Sequence, residues 1–146
     1  MTETPEERTI DHSALSSGSG MIMSVEKQAP LKPLITFGKF ANVDMRVAQV
    51  LSAPMAEGTR NPCRVIDLDA GHLGKLRSIG QFALVPEEQL VGRKVIICCN
   101  LGTRAMGPYT SEALVLGVPH PQSPEGQDQA MPLYVDGSAR CGDGVF

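Results

Sequence analysis

The feature that most constrains this chain is a series of short apolar runs set apart by turn residues. They are VDMRVAQVLSA (43–53), CRVIDLD (63–69), KLRSIGQFA (75–83), RKVIICCNL (93–101) and ALVLGV (113–118). Pro54, the AGHLG stretch and the glycines at 102 and 107 punctuate the series. Runs of this length, with turn signals between them, predict strands rather than helices. One segment breaks the pattern. VPEEQLVG (85–92) has Pro86 at a first-turn position, Glu87 and Glu88 behind it and Gly92 at its end. That order predicts a short helix between the third and fourth strands. Gly80 marks a bulge or bend in the third strand.

A five-stranded sheet has two exposed edges, and closing it into a barrel removes them. An all-β, five-stranded OB-fold barrel carries its short helix between strands 3 and 4, which is the order read here. A β-sandwich is the competing arrangement. PHPQSPEGQDQ (119–129) reads as a polar loop after the fifth run, and MPLYV (131–135) and RCGDGVF (140–146) add short extended pieces beyond it. Ahead of the strands, ITFGKF offers Thr36 as a helix N-cap, with Phe37 and Phe40 on one face of a turn or two of helix. The domain is expected to run over 33–146. Residues 1–32 contain SSGSG and little hydrophobic pattern, so a disordered, dispensable extension is expected there.

The net charge is -3, and all of it sits at the start of the chain. Glu3, Glu6, Glu7, Asp11 and Glu26 outweigh Arg8 and Lys27 within residues 1–30, which leaves the body neutral. A neutral body exerts little long-range pull on a polyanion, though it can still carry a local basic face. Aromatics make up 4% and Trp is absent, which counts against strong base stacking. No apolar run approaches the roughly 18 residues of a membrane span. The first residues lack a secretory pattern, and a cytoplasmic protein without membrane contact is expected. Cys63, Cys98, Cys99 and Cys141 form no C-x-x-C, so reduced structural thiols are expected. His12, His72 and His120 are scattered without ligand spacing, so neither a metal nor a cofactor is expected. No nucleophile motif or phosphate loop occurs, which argues against an enzyme.

Four blocks, taken together, resemble a known family. ITFGKFANVDMRVAQV matches the pattern F-x-x-V-D-h-R-V-G-x-V at Phe40, Val43, Asp44, Arg46 and Val47, with Ala48 in place of the Gly. NPCRVIDLDAG, VPEEQLVGRKVIICCNLGTR and GPYTSEALVLGVP follow in register, so the likeness runs from Ile35 to Phe146. The blocks are similar to the tRNA-binding domain of CsaA-like chaperones. That domain also occurs in the C-terminal extension of methionyl-tRNA synthetases and the N-terminal part of bacterial phenylalanyl-tRNA synthetase β chains. The resemblance implies an OB-fold that binds tRNA. It equally admits a chaperone for unfolded or pre-secretory peptides, or an interaction domain associated with an aminoacyl-tRNA synthetase. Ala105 and Met106 stand where many tRNA-binding members carry further Lys or Arg.

The candidate tRNA-binding residues are Lys75, Arg77, Ser78, Asn100, Arg104, Ser111 and Glu112. Lys75 and Arg77 share one face of the third strand, the side on which OB-folds bind ligands. Arg104 can pair a phosphate. Asn100 can read a base edge or tie down the following loop. Ser111 can donate to RNA. Glu112 is unsuited to a phosphate; it could accept from a base amine, but holding Arg46 or Arg104 in place is the favoured role. Asp44 and Arg46 share a face and are expected to pair. Phe37 and Phe40 are the candidate interface of a homodimer.

Overall fold

The computed structural model describes residues 28–146. Most of the expected disordered extension, residues 1–27, therefore lies outside the described residues. Contacts divide the chain after Asn42, and each part is described by itself.

In the first part, α1 (Phe37–Ala41) forms where the cap predicts it. The Lys39 N–H donates to Thr36 Oγ1 at 3.2 Å, and the Asn42 N–H closes the last turn on the carbonyls of Lys39 and Phe40. The Phe37 and Phe40 rings meet in a tilted contact, with centroids 6.0 Å apart and planes inclined at 50°, and both side chains are exposed.

Residues 43–146 form the all-β barrel. Its main sheet has the order β3-β2-β1-β4-β7, built from β1 (Met45–Ser52), β2 (Arg64–Asp69), β3 (Lys75–Gly80), β4 (Lys94–Cys98) and β7 (Leu114–Val115). All neighbours are antiparallel. Strand β1 serves both halves. Its residues 45–49 pair with β4, its residues 49–52 pair with β2, and a register shift between Val50 and Ser52 bends it from one to the other. The extra twist of such a bulge lets a single strand turn the corner of a small barrel.

Alternation sends Ala48, Val50, Ile66, Leu68, Val95, Ile97 and Val115 into one core. Ala48, where the resembled pattern has Gly, is fully buried and fills its place with a methyl. Phe82, Val85 and Leu90 join from the β3–β4 connection. The expected short helix there is a 3-10 turn, Glu87–Gln89, opened by Pro86. Burying Leu90 behind it contributes about 1.5–3 kcal/mol. Arg64, also buried, donates to the backbone carbonyls of Ala53, Phe82 and Ala83, and so ties the ends of two connections to β2.

One expectation needs correcting, and one segment adds an element. The stretch at 100–112, marked in the sequence only by the glycines that punctuate the series, is itself structured. It contains a hairpin, β5 (Arg104–Met106) and β6 (Tyr109–Ser111), turned at Gly107 and Pro108. Gly107 has φ of +58°, the positive value that the first central residue of such a tight turn requires. The fifth apolar run is not one strand. After Val115 it crosses to a second pairing, β8 (Gly117–Pro119) with β9 (Ala130–Pro132). A side chain at Gly117 would put its Cβ 2.6 Å from the Met131 carbonyl oxygen, so glycine permits the crossing. The end of the chain runs along β1, where Val47 and Val145 N–H groups donate to Asp143 and Met45 carbonyls.

The polar connection before β9 is held by one buried amide. Gln129 is 1% exposed; its Oε1 accepts from the Ala83 N–H at 2.9 Å and its Nε2 donates to the Pro62 carbonyl at 2.9 Å. Gln129→Leu keeps the volume and strips both partners. Loss of these bonds is expected to destabilise the barrel by about 1–3 kcal/mol in urea unfolding. An unchanged midpoint would show that the amide does not anchor this connection.

Candidate nucleic-acid interface

The outer face of the β2–β3 ribbon carries three cross-strand pairs: Val65 with Ile79, Asp67 with Arg77 and Asp69 with Lys75. The apolar pair is covered. Cys63, Val65 and Ile79 form a small second cluster with Met106 and Tyr109 of the hairpin and Ala56 of the β1–β2 loop. The hairpin is also locked to that loop. The Tyr109 hydroxyl accepts from the Glu57 N–H at 3.1 Å. A Cβ on Gly107 would lie 2.6 Å from the Gly58 carbonyl oxygen. The two loops that flank an OB-fold's binding face therefore meet over one end of the ribbon. Its other end stays open as a shallow cleft bounded by Leu51, Asp67, Lys75, Arg77 and Glu112.

The Ser-Glu pair joins this face to the hairpin. Glu112 Oε1 accepts from the Arg77 N–H at 2.9 Å, while the Glu112 and Ala113 N–H groups both donate to the Arg77 carbonyl. Ser111 Oγ accepts from the Ile79 N–H at 3.1 Å and donates to the Ala113 carbonyl at 3.2 Å. These bonds link β3 to residues 111–113 and close the sheet on that side. Glu112 thus holds an arginine by its backbone, and the arginine is Arg77 rather than Arg46 or Arg104.

The sequence candidates separate into three groups. Lys75, Arg77 and Glu112 border the cleft together. Ser78 and Ser111 are buried, at 1% and 8% exposure, and do not reach its surface. Ser78 has the opposite strand parity to Lys75 and Arg77, and the Ser111 hydroxyl proton is engaged at Ala113. Asn100 lies at the end of β4, where its Oδ1 accepts from the Asp44 N–H at 3.0 Å and the Cys98 thiol at 3.6 Å. It fastens the start of β1 to the end of β4 rather than only the loop that follows it. Asp44 and Arg46 form the expected pair at 2.6 Å, and Arg46 also donates to the Gly142 carbonyl.

Arg104 opens the hairpin. Strand alternation puts it on the side of Met106, and its cross-strand partner is the buried Ser111. That side faces the β2–β3 ribbon. Arg104 is half-buried, and no ion pair among the described residues involves it. The same holds for exposed Lys75. Arg77 differs: its Nε and Nη2 meet Asp67 Oδ1 and Oδ2 at 2.8 and 3.2 Å. This hydrogen-bonded guanidinium holds the Asp67 carboxyl below its ordinary range, and the carboxylate in turn raises Arg77. Burial pushes the Cys63 and Cys99 thiols up, and all four cysteines are free. Among the described residues, no group of three or more His, Cys, Asp or Glu side chains is placed to hold a metal ion. No helix among them is long and apolar enough to cross a membrane.

Solved structures share this architecture. The CsaA chaperone protein from Picrophilus torridus superposes with a TM-score of 0.69 over 77% of this chain and 100% of its own, at 23% identity. The fold is shared with CsaA. Chaperone CsaA from Bacillus anthracis gives 0.67 at 24% identity, and the MetRS related protein from Pyrococcus horikoshii gives 0.66 at 19%. In sequence, the chain is 31% identical over 121 residues to methionine–tRNA ligase of Methylibium petroleiphilum, covering 81% of this chain and 16% of that protein. Against the Bdellovibrio bacteriovorus ligase it is 40% identical over 83 residues, 56% of this chain and 12% of that one. The chain thus spans less than a fifth of either synthetase. No family model matches it. The resemblance carried by the four blocks is borne out by sequence and by fold.

Sequence reading missed Asp67, Tyr109 and the Gly58–Gly107 contact. The first was within reach. The tight AGHLG connection sets IDLD against KLR, and that register puts Asp67 opposite Arg77. The loop contacts had no local signal. Ser111→Ala leaves the Ile79 N–H without its acceptor and is expected to cost about 1–3 kcal/mol in urea unfolding. Glu112→Gln keeps an oxygen for the Arg77 N–H and should change stability by less than about 0.5 kcal/mol. Equal losses in the two variants would contradict the roles given to them.

Proposed function

We propose that this domain binds tRNA by its phosphate backbone, on the surface where the β5–β6 hairpin meets β3. Arg104 and Lys75 are the phosphate contacts, and the apolar cleft edge at Leu51 receives the face of a sugar or base. The reading gives the domain no chemistry of its own. It pictures a cytoplasmic homodimer joined through the exposed Phe37 and Phe40 rings. The observation that carries it is Arg104, a half-buried guanidinium without an ionic partner among the described residues, set beside an OB-fold's usual binding face. The likeness to methionine–tRNA ligases over most of this chain supports tRNA as the ligand.

A second reading is receipt of extended peptide segments. It is favoured by the exposed apolar side chains Leu101, Leu114, Val118 and Leu133 and by the fold shared with proteins named as CsaA chaperones.

A salt series separates the two. Each neutralised phosphate contributes about -0.7 to the slope of log affinity against log salt on a single strand. With Arg77 engaged by Asp67, two cations remain, so the expected slope for labelled tRNA is about -1.4 per subunit. Arg104→Ala should make it shallower by about 0.7 and weaken all tRNAs alike. A labelled unfolded peptide that binds at every salt concentration, with no tRNA binding at low salt, would put the peptide reading in its place.

A further inference from the structure

The cationic face expected from Lys75 and Arg77 is not a plain cationic face. Its arginine is directly opposite an aspartate in the ladder, and the two side chains form a fork with bonds of 2.8 and 3.2 Å. The pair is not a core contact, because Arg77 and Asp67 side chains are 44% and 37% exposed. Both therefore stand where an RNA strand crossing the cleft would run. Glu112 borders the same cleft, and Asp69 lies opposite Lys75. The acids Asp67, Asp69 and Glu112 thus outnumber the bases Lys75 and Arg77 on this face.

The aspartate fork takes the Nε–Nη2 edge of the guanidinium, one of the two edges a phosphate could use. A phosphate can then take Arg77 only by displacing Asp67 or by accepting from the remaining Nη1 and Nη2 N–H groups beside the carboxylate. In addition, the carboxylate repels any phosphate that comes near. At about 5 Å in water this repulsion alone is worth roughly a fourfold change in affinity.

We infer that Asp67 is a specificity-determining residue, which holds Arg77 back from phosphate so that the surface gives little to a polyanion that brings no fixed phosphate against Arg77. This rests on the tRNA reading above. Arg77 then contributes only where a folded RNA brings a phosphate close enough to compete with the fork. An unstructured strand, free to choose its contacts, gains nothing there. Asp67 acts on RNA through Arg77 and through its own charge.

The test compares wild type, Asp67→Asn, Arg77→Ala and the double variant by anisotropy, with tRNA and with single-stranded polyuridylate across a salt series. Asp67→Asn is expected to tighten polyuridylate by about threefold to tenfold at low salt and to steepen its slope by about 0.7. The tRNA gain should be smaller, so the preference for tRNA falls. In the Arg77→Ala background the added slope should disappear. Glu87→Gln removes the same charge from the turn before β4 and should shift neither ligand. Asp67→Ser provides a second neutral variant, and circular dichroism checks the fold of each. If wild type binds tRNA and both neutral variants leave polyuridylate unchanged, the inference is overturned while the tRNA reading stands. If wild type binds no tRNA but the neutral variants acquire polyanion binding through Arg77, the restraint is upheld and the tRNA reading falls. If no form binds either RNA, both fall.

Discussion

The rest of the structure depends on how the sheet closes between β3 and residues 111–113. Without that closure β3 would be an open edge and the core would have one side uncovered. Two backbone N–H groups on the Arg77 carbonyl and two side-chain oxygens, from Ser111 and Glu112, supply the bonds. A regular ladder is not possible there, because the hairpin has just returned the chain and β7 is two residues long. Side chains stand in for missing backbone partners. This explains why a polar Ser-Glu pair precedes an apolar strand. Its first task is structural, and the same bonds fix Arg77 and the hairpin relative to one another.

That arrangement decides the electrostatics of the surface. Closure fixes the backbone of Arg77, the ladder sets Asp67 opposite it, and the fork between them occupies the Nε–Nη2 edge of the guanidinium. Arg104 sits across the hairpin from Ser111, and no ion pair among the described residues involves it. Two arginines of equal formal charge therefore have different capacities for phosphate. A neutral body is consistent with this design, since weak long-range attraction leaves discrimination to short-range geometry.

The strands were legible because alternation and turn residues are local signals. Val47, Val50, Ile66, Leu68 and Ile97 declare their burial through their neighbours, and the boundaries of β1 and β2 agree with the runs within a residue or two. Thr36 capped α1 for the same reason. The hairpin at 104–111 was not legible: three-residue strands carry no periodicity, and their packing partners lie far off in sequence, on the β2–β3 ribbon and in the β1–β2 loop. Ser78 and Ser111 stood among the candidate RNA contacts but are buried, and strand parity already separated Ser78 from Lys75 and Arg77. Family-like motifs indicate that a residue matters, and only register and closure tell whether it faces solvent or holds the barrel shut. The resemblance supplied the fold and a ligand class. The difference between Arg77, paired with Asp67, and Arg104, in no ion pair among the described residues, needed the three-dimensional ladder.

The central claim is that RNA contacts the surface shared by the hairpin and β3. The most direct measurement is a backbone amide NMR titration of the ¹⁵N-labelled protein with tRNA at low salt. The account predicts the largest perturbations in residues 75–79 and 101–112, with the Arg104 side-chain signal among them. The loop at 120–129 and the chain end at 142–146 should stay unmoved. Perturbations concentrated in those last two segments, with residues 101–112 unchanged, would contradict it.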